Sequence, residues 1–264
     1  MTTTQMYDVL GPHGEKKVRT SSRVFAAAIA AIAALVLYQL ADHGQLSPHL
    51  WSALLDRDLM RSVLKGLLAT IRCALVSIAL SVVFGMVLTA LRMSDNIILR
   101  SAVRVWVEIF RGLPLLLLIF FIFLGAPQLG VVVPTFWALT LGISLYNSAV
   151  MSEIFRAGIA ALPRGQAEAA AAIGLRKIQI LRIILLPQAI RIMLPALISQ
   201  VVTIVKETSL GFVIGYTELL RSGRVAVEYL GGQYAIPVYV LIAAIYLLMN
   251  IALSKLARRI DTSS

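Results

Sequence analysis

Between Arg111 and Glu153 the chain carries no charged side chain. The stretch is too long for one membrane helix of about 20 residues, and Gly125, Pro127, Gly130 and Pro134 supply a turn near its middle. Two crossings, roughly 113–129 and 134–154, fit it. Because lipid leaves backbone amides no water to pair with, such segments fold as helices that satisfy their own hydrogen bonds.

The rest of the chain repeats the pattern. No charge lies between Arg23 and Asp42, room for one span of about 27 Å. Lys16, Lys17, Arg19 and Arg23 precede this run, whereas Asp42, Asp56 and Asp58 follow it, so residues 1–23 are expected in the cytoplasm. The run 24–41 exceeds a usual signal-peptide core and no A-x-A site follows, which identifies it as a retained N-terminal helix. Leu50–Leu55, with Trp51, fits an outer interface. In the second span Arg72 and Arg92 stand about 30 Å of helix apart and bracket one hydrocarbon thickness, with Arg72 snorkelling outward. Residues 92–111 hold Arg92, Arg100, Arg104 and Arg111 against Asp95 and Glu108, a cytoplasmic balance.

A fifth span starting near Ile192 reaches Lys206 and Glu207 after about 22 Å, before a helix has crossed. Gly211 and Gly215 follow, so the helix is expected to break there. Glu218, Arg221, Arg224 and Glu228 read as a mixed outer loop. A last span from Ala235 to Leu253 ends at Lys255, Arg258 and Arg259, with 259–264 as a cytoplasmic tail. The expected fold is all-α and polytopic, with about six spans and both termini in the cytoplasm. Hydrophobic residues make up 59% of the chain and charged residues 14%, with mean hydropathy +0.87, which excludes an ordinary soluble domain. The net charge of +11 sits in short clusters between apolar runs, so it reflects membrane orientation, and no nucleic-acid motif accompanies it. Cys73 is the lone cysteine, and His13, His43 and His49 form no cluster, so no metal site is expected.

One stretch between apolar segments breaks the rule. From Pro163 to Pro195, Arg164, Glu168, Arg176, Lys177, Arg182 and Arg191 recur too often for hydrocarbon, which places it in water. Alanines around Glu168 favour helix, Gly174 is a left-handed stop, and Ile178, Leu181, Ile184 and Leu185 repeat at helical spacing until Pro187. This predicts helix, turn, helix: a rigid knob that a soluble partner can grip.

Glu168-Ala169-Ala170, then three residues, Gly174, then nine, Ile184, one more, and Leu186-Pro187 resembles the EAA signature of ABC importer permeases. Glu153-Ile154-Phe155-Arg156-Ala157-Gly158, Pro163-x-Gly165-Gln166, Pro187-Gln188-Ala189-x-Arg191, Lys206-Glu207-Thr208-Ser209-Leu210 and Glu108-x-Phe110-Arg111-Gly112-x-Pro114-Leu115 narrow the resemblance to the polar amino-acid uptake family. It covers about 60–258, a permease domain of the five-helix type I core with a coupling loop at 156–191, to which the 24–41 helix is an addition. The resemblance implies an ATPase subunit dimer that binds ATP and Mg, a second permease subunit of the same or a paralogous kind, an extracytoplasmic binding protein and the plasma (inner) membrane.

Within the loop, Pro163, Gly165, Glu168, Ala169, Ala170, Gly174, Arg176 and Pro187 are assigned to ATPase coupling. Glu168 offers a charge-assisted bond, Ala169 and Ala170 permit close approach, and Gly174 sets the inter-helix angle. Arg176 stands where a capping Ser or Thr is preferred. The chain has no GxxxxGK[ST], so ATP hydrolysis and its cofactors are assigned to the partner and no catalytic residue is expected here. Lys206, Glu207, Thr208 and Ser209 are substrate-path candidates whose ammonium, carboxylate and hydroxyls could match an amino-acid zwitterion, glutamate first. Helix neighbours point about 100° apart, however, so Lys206 and Glu207 share a ligand only if the helix distorts; interhelical ion pairs are the alternative. Glu108, Arg111 and Pro114 are gate or structural candidates, the first two able to pair one turn apart. A membrane-embedded enzyme would need intramembrane acid pairs or a metal set, and neither is seen. An ATPase-independent channel or ion-coupled carrier would leave the loop without a purpose.

Overall fold

The structure, a computed structural model, describes residues 12–176 and 179–262. Residues 1–11 of the expected tail, Lys177 and Ile178 of the coupling stretch, and Ser263 and Ser264 lie outside the described residues.

The chain divides into two units, Met1–Ala53 and Leu54–Ser264. The first contains α1, Pro12–Asp42, and the short α2, Pro48–Ser52, joined by a turn in which Trp51 Nε1 donates to the Gln45 carbonyl at 3.0 Å. From Val24 to Tyr38 α1 is apolar on every side: Val24, Phe25, Ile32, Leu35 and Tyr38 are all exposed. That is the surface of a helix whose solvent is lipid.

The second unit begins with α3, Arg57–Arg92, whose first turn is closed by the Asp56 carboxylate accepting from the amides of Asp58 and Leu59. Asn96 does the same for α4, Ile97–Gly112. Pro114 stands at the N-cap of α5, Leu115–Phe120, which continues through a π-helical turn, Phe121–Gly125, and a 3-10 turn, Ala126–Leu129. The expected break in the long uncharged stretch thus falls at Gly130, which is left-handed. α6, Thr135–Ala160, follows.

Next come α7, Arg164–Ala172, a π-helical segment, Ile180–Leu185, and α8, Leu186–Glu207. A 3-10 turn, Thr208–Phe212, leads to α9, Leu219–Leu230, and α10, Ala235–Thr262. No strand occurs among the described residues.

α6 is the central helix. Leu139, Ile143, Asn147, Ala149, Met151 and Ser152 are completely buried, with α3 on one side and α4, α5 and α8 around it. The approach of α3 needs a glycine: a Cβ at Gly85 would stand 2.7 Å from the Met151 Cβ. Small residues at a helix contact let backbones close where lipid supplies no hydrophobic drive. Thr89 Oγ1 seals the same seam by donating to the carbonyls of Gly85 (2.8 Å) and Ser152 (3.2 Å).

Four helical segments among the described residues are long and apolar enough to cross a bilayer, Lys17–Asp42, Arg57–Arg92, Ile180–Phe212 and Gly232–Lys255; α4 with α5 makes a fifth only as a pair bent by 101°. α6 falls outside that count because Thr140, Ser144, Asn147, Ser148 and Ser152 lower its hydropathy. Each of these is buried against protein, where a span can be polar without meeting lipid.

Two local expectations are corrected. The second short helix does not end at Pro187: the chain stays helical from Ile180 to Glu207. A proline removes one amide and crowds the preceding turn, and the wide π-helical turn just before Pro187 absorbs the mismatch. Nor is the region of Glu218 to Glu228 a loop. It is α9, and Glu218 caps it, fully buried, accepting from the amides of Leu220 and Arg221 and from Tyr246 Oη at 2.8 Å.

Candidate functional site

The stretch expected to couple forms a closed corner with an exposed outer face. α7 starts after Pro163 and presents Glu168 and Ala169 outward, while Ala170 turns inward and is 3% exposed. Gly165 is open on all sides. Gly174, at φ +86°, ends the helix: its amide donates to the Ala171 carbonyl at 3.0 Å and the Leu175 amide to the Ala170 carbonyl at 3.2 Å. This paired closure needs a left-handed residue at Gly174.

The cap of the next helix was the open point at Arg176, and Gln179 resolves it. Its Oε1 accepts from the Arg176 amide at 2.9 Å, half of a capping box made without Ser or Thr. This was not foreseen; a Gln three residues after Arg176 is the signal that would have found it. A second tie was also not foreseen: Gln188 Nε2 donates to Gln166 Oε1 and to the Ile184 carbonyl, both at 2.8 Å. α7 is thereby fastened to the first turn of α8, beside Pro187. Both glutamines belong to the quoted motifs, but nothing local in the sequence shows that they meet.

At the far end of α8 the substrate-path candidates separate. The helix gives way to the 3-10 turn at Thr208, and Gly215 is left-handed at φ +82°, so the predicted break is present. It does not bring the four residues onto one ligand. Lys206 and Ser209 line a groove of about 610 Å³ between α8, α9 and α10, with Tyr239, Tyr246 and Asn250. Glu207 faces the other way: its Oε2 accepts from Asn147 Nδ2 on α6 at 2.6 Å, and Asn147 Oδ1 accepts in turn from Gln200. Thr208 is buried, its hydroxyl donating to the Val205 carbonyl at 2.7 Å, and the Ser209 hydroxyl donates to the Lys206 carbonyl. The 100° offset between Lys206 and Glu207 is thus preserved. Asn147 and Gln200 were missed because each is uncharged and lies fifty or more residues from its partner, so nothing local shows that they meet Glu207 and each other.

The gate candidates are re-partnered. Arg111 does not pair with Glu108; its Nη1 lies 3.9 Å from Glu153 Oε1 on α6. Glu153 also accepts from Arg92 on α3 and from Arg156 at 2.8 Å. One carboxylate therefore gathers guanidinium groups from three helices. Arg111 and Glu153 border a cavity of about 420 Å³ with Ala157, Gly158, Ile192 and Met193, at the end of α6 that leads to α7. Glu108 is exposed, and Pro114 marks the sharp turn between α4 and α5. No group of three or more His, Cys, Asp or Glu able to hold a metal occurs among the described residues.

Residues 77–263 match the family described as binding-protein-dependent transport system inner membrane component. The glutamate transport system permease protein GluD of Corynebacterium glutamicum is 38% identical over 226 residues, 84% of this chain and 82% of that protein. The probable glutamine ABC transporter permease protein GlnP of Bacillus subtilis is 38% identical over 197 residues, 74% of this chain and 90% of that protein. Among solved structures, an amino acid ABC transporter with histidines superposes with TM-score 0.73 at 30% identity, covering 78% of this chain and 95% of its own. An inward-facing MetNI methionine ABC transporter superposes with TM-score 0.62 at 22% identity, covering 77% of this chain and 98% of its own, and so shares the fold. With this match over most of its length, and with helices built for lipid, the chain belongs to the binding-protein-dependent transport system inner membrane components, among their polar amino-acid ABC permeases.

Proposed function

We propose that this chain is the membrane permease of an ATP-driven importer and carries a polar amino acid, glutamate first, into the cytoplasm by alternating access. The observation that carries the reading is the rigid corner of α7 and α8. An exposed Glu168 on a short helix, a left-handed closure at Gly174 and the Gln166–Gln188 tie make one lever, continuous through α8 with the polar break at Lys206 and Glu207. A push on α7 is passed to the middle of the bundle along a single helix.

In this mechanism the ATPase dimer, which holds the ATP and Mg, grips α7 through Glu168. A second permease subunit, a copy or a paralogue, completes the pathway, and an extracytoplasmic binding protein delivers the amino acid. The termini and the α7 corner lie on the cytoplasmic side, as the basic flanks direct. Lys206 and the tyrosines of its groove receive the substrate, the ammonium favouring a side chain with a carboxylate; the name of the Corynebacterium relative agrees. Glu207, held by Asn147, sets the position of the helix break. The chain itself makes and breaks no covalent bond.

The test is uptake into proteoliposomes holding the permease with its ATPase and binding protein. Labelled glutamate should accumulate only with ATP inside the ATPase compartment, and glutamine, arginine and methionine should compete less well. Uptake that persists without the ATPase would return the chain to the carrier class.

A further inference from the structure

α4 carries a surface that transport coupling leaves unused. Read at 100° per residue it has three stripes. Leu99, Val103, Val107 and Phe110 pack against Leu88, Leu91 and Ala149. The next stripe holds Arg100, Arg104, Glu108 and Arg111. The third, Ile98, Ala102, Val105, Trp106 and Ile109, spans about 100° and faces outward, with Ile98 77%, Val105 53%, Trp106 45% and Ile109 52% exposed. The chain turns by 101° between α4 and the segment Leu115–Leu129, and α4 ends with Arg111 beside Glu153, where α6 leads to α7.

We propose that α4 lies flat in the headgroup layer on the α7 side and binds anionic phospholipid, with Val105, Trp106 and Ile109 in the acyl boundary and Arg100 and Arg104 on the lipid phosphates. Three features select this occupant. Guanidinium groups beside an apolar stripe match a headgroup above its chains, the pattern of helices that lie in an interface. Arg111 turns to Glu153, whereas the side chains of Arg100 and Arg104 make no ion pair among the described residues. The outward stripe keeps Trp106 beside the apolar Val105 and Ile109, an aromatic ring of the kind that sits at the level of the headgroups.

The experiment uses the intact permease in nanodiscs. With Trp51→Phe and Trp137→Phe in place, Trp106 reports alone against phosphatidylcholines brominated at shallow or deep acyl positions. Quenching by the shallow bromines above the deep ones is expected; no quenching means that a protein face covers α4 and overturns the proposal. Spin-labelled phosphatidylglycerol is then competed against phosphatidylcholine. Arg100→Gln and Arg104→Gln should each lower the preference for phosphatidylglycerol roughly fivefold, the Lys variants should keep most of it, and inorganic phosphate should not displace the lipid. An unchanged preference in the double Gln variant, or displacement by free phosphate, rejects the lipid assignment. The quenching arm needs no arginine substitution and stands even where the Gln variants fail to fold.

Discussion

Arg92, on the last turn of α3, donates to Glu153 on α6, sixty-one residues away. Arg156 and Arg111 complete the cluster, so the ends of α3, α4 and α6 are locked by one carboxylate beside the corner that leads to α7.

Glu153→Gln should therefore loosen that end. The side chain keeps 21% of its exposure, so the loss lies below the ~3–5 kcal/mol of a fully buried pair, at about 1–3 kcal/mol. Thermal unfolding of the purified permease in detergent measures it. A melting point equal to that of the parent chain would mean that the cluster is held elsewhere.

Glu168→Lys should leave insertion and melting temperature unchanged, because the residue is exposed. It should weaken ATPase docking about 10- to 150-fold, the range of a lost charge-assisted hydrogen bond of ~1.5–3 kcal/mol. Stimulated ATPase activity in the reconstituted complex is the readout, and normal stimulation contradicts the assigned role.

Gly174→Ala should destabilise the corner by about 1–2 kcal/mol, since φ +86° crowds any Cβ. Gly165→Ala, with nothing near its Cβ position and a helical backbone, is the control and should be neutral or slightly stabilising. Hydrogen exchange at the Leu175 amide distinguishes them: faster exchange is expected in the first variant alone.

Gly85→Leu should fail to assemble the α3–α6 seam, because even its Cβ would stand 2.7 Å from that of Met151. Gly112→Leu, where the Cβ position is open, should express normally. Equal yields of monodisperse protein from the two variants would argue against the close approach of these helices.

Lys206→Met should reduce glutamate uptake while ATPase docking stays intact, because Lys206 lines the groove with Tyr239 and Tyr246 and α7 lies at the other end of α8. Initial-rate kinetics over a range of glutamate concentrations tests this. Unchanged kinetics would assign Lys206 to structure.

Much of the fold was legible because it is written locally. Charge-free runs gave the apolar helices, and Gly130 and Gly174 gave the stops. The corner around Glu168 was readable for the same reason: alanine, glycine and proline act within one turn of themselves. Errors arose where a helix continued despite local punctuation, at Pro187, and where a charged segment was covered by other helices, at Glu218. A π-helical turn and the hydroxyl of Tyr246 settled those two cases, and neither follows from the neighbouring residues.

By itself the sequence marked the charge-free segments suited to lipid and the charged stretch between them, since transfer free energy and backbone preference add up residue by residue along the chain. Only the tertiary structure decided which faces meet. Lys206 and Glu207 are adjacent in the chain, yet one lines a groove and the other bonds to Asn147; Arg111 ignores Glu108 one turn away and reaches Glu153. The rotation of each helix is fixed by the summed packing of small and large side chains from distant segments, as at Gly85 against Met151. That sum has no local signature.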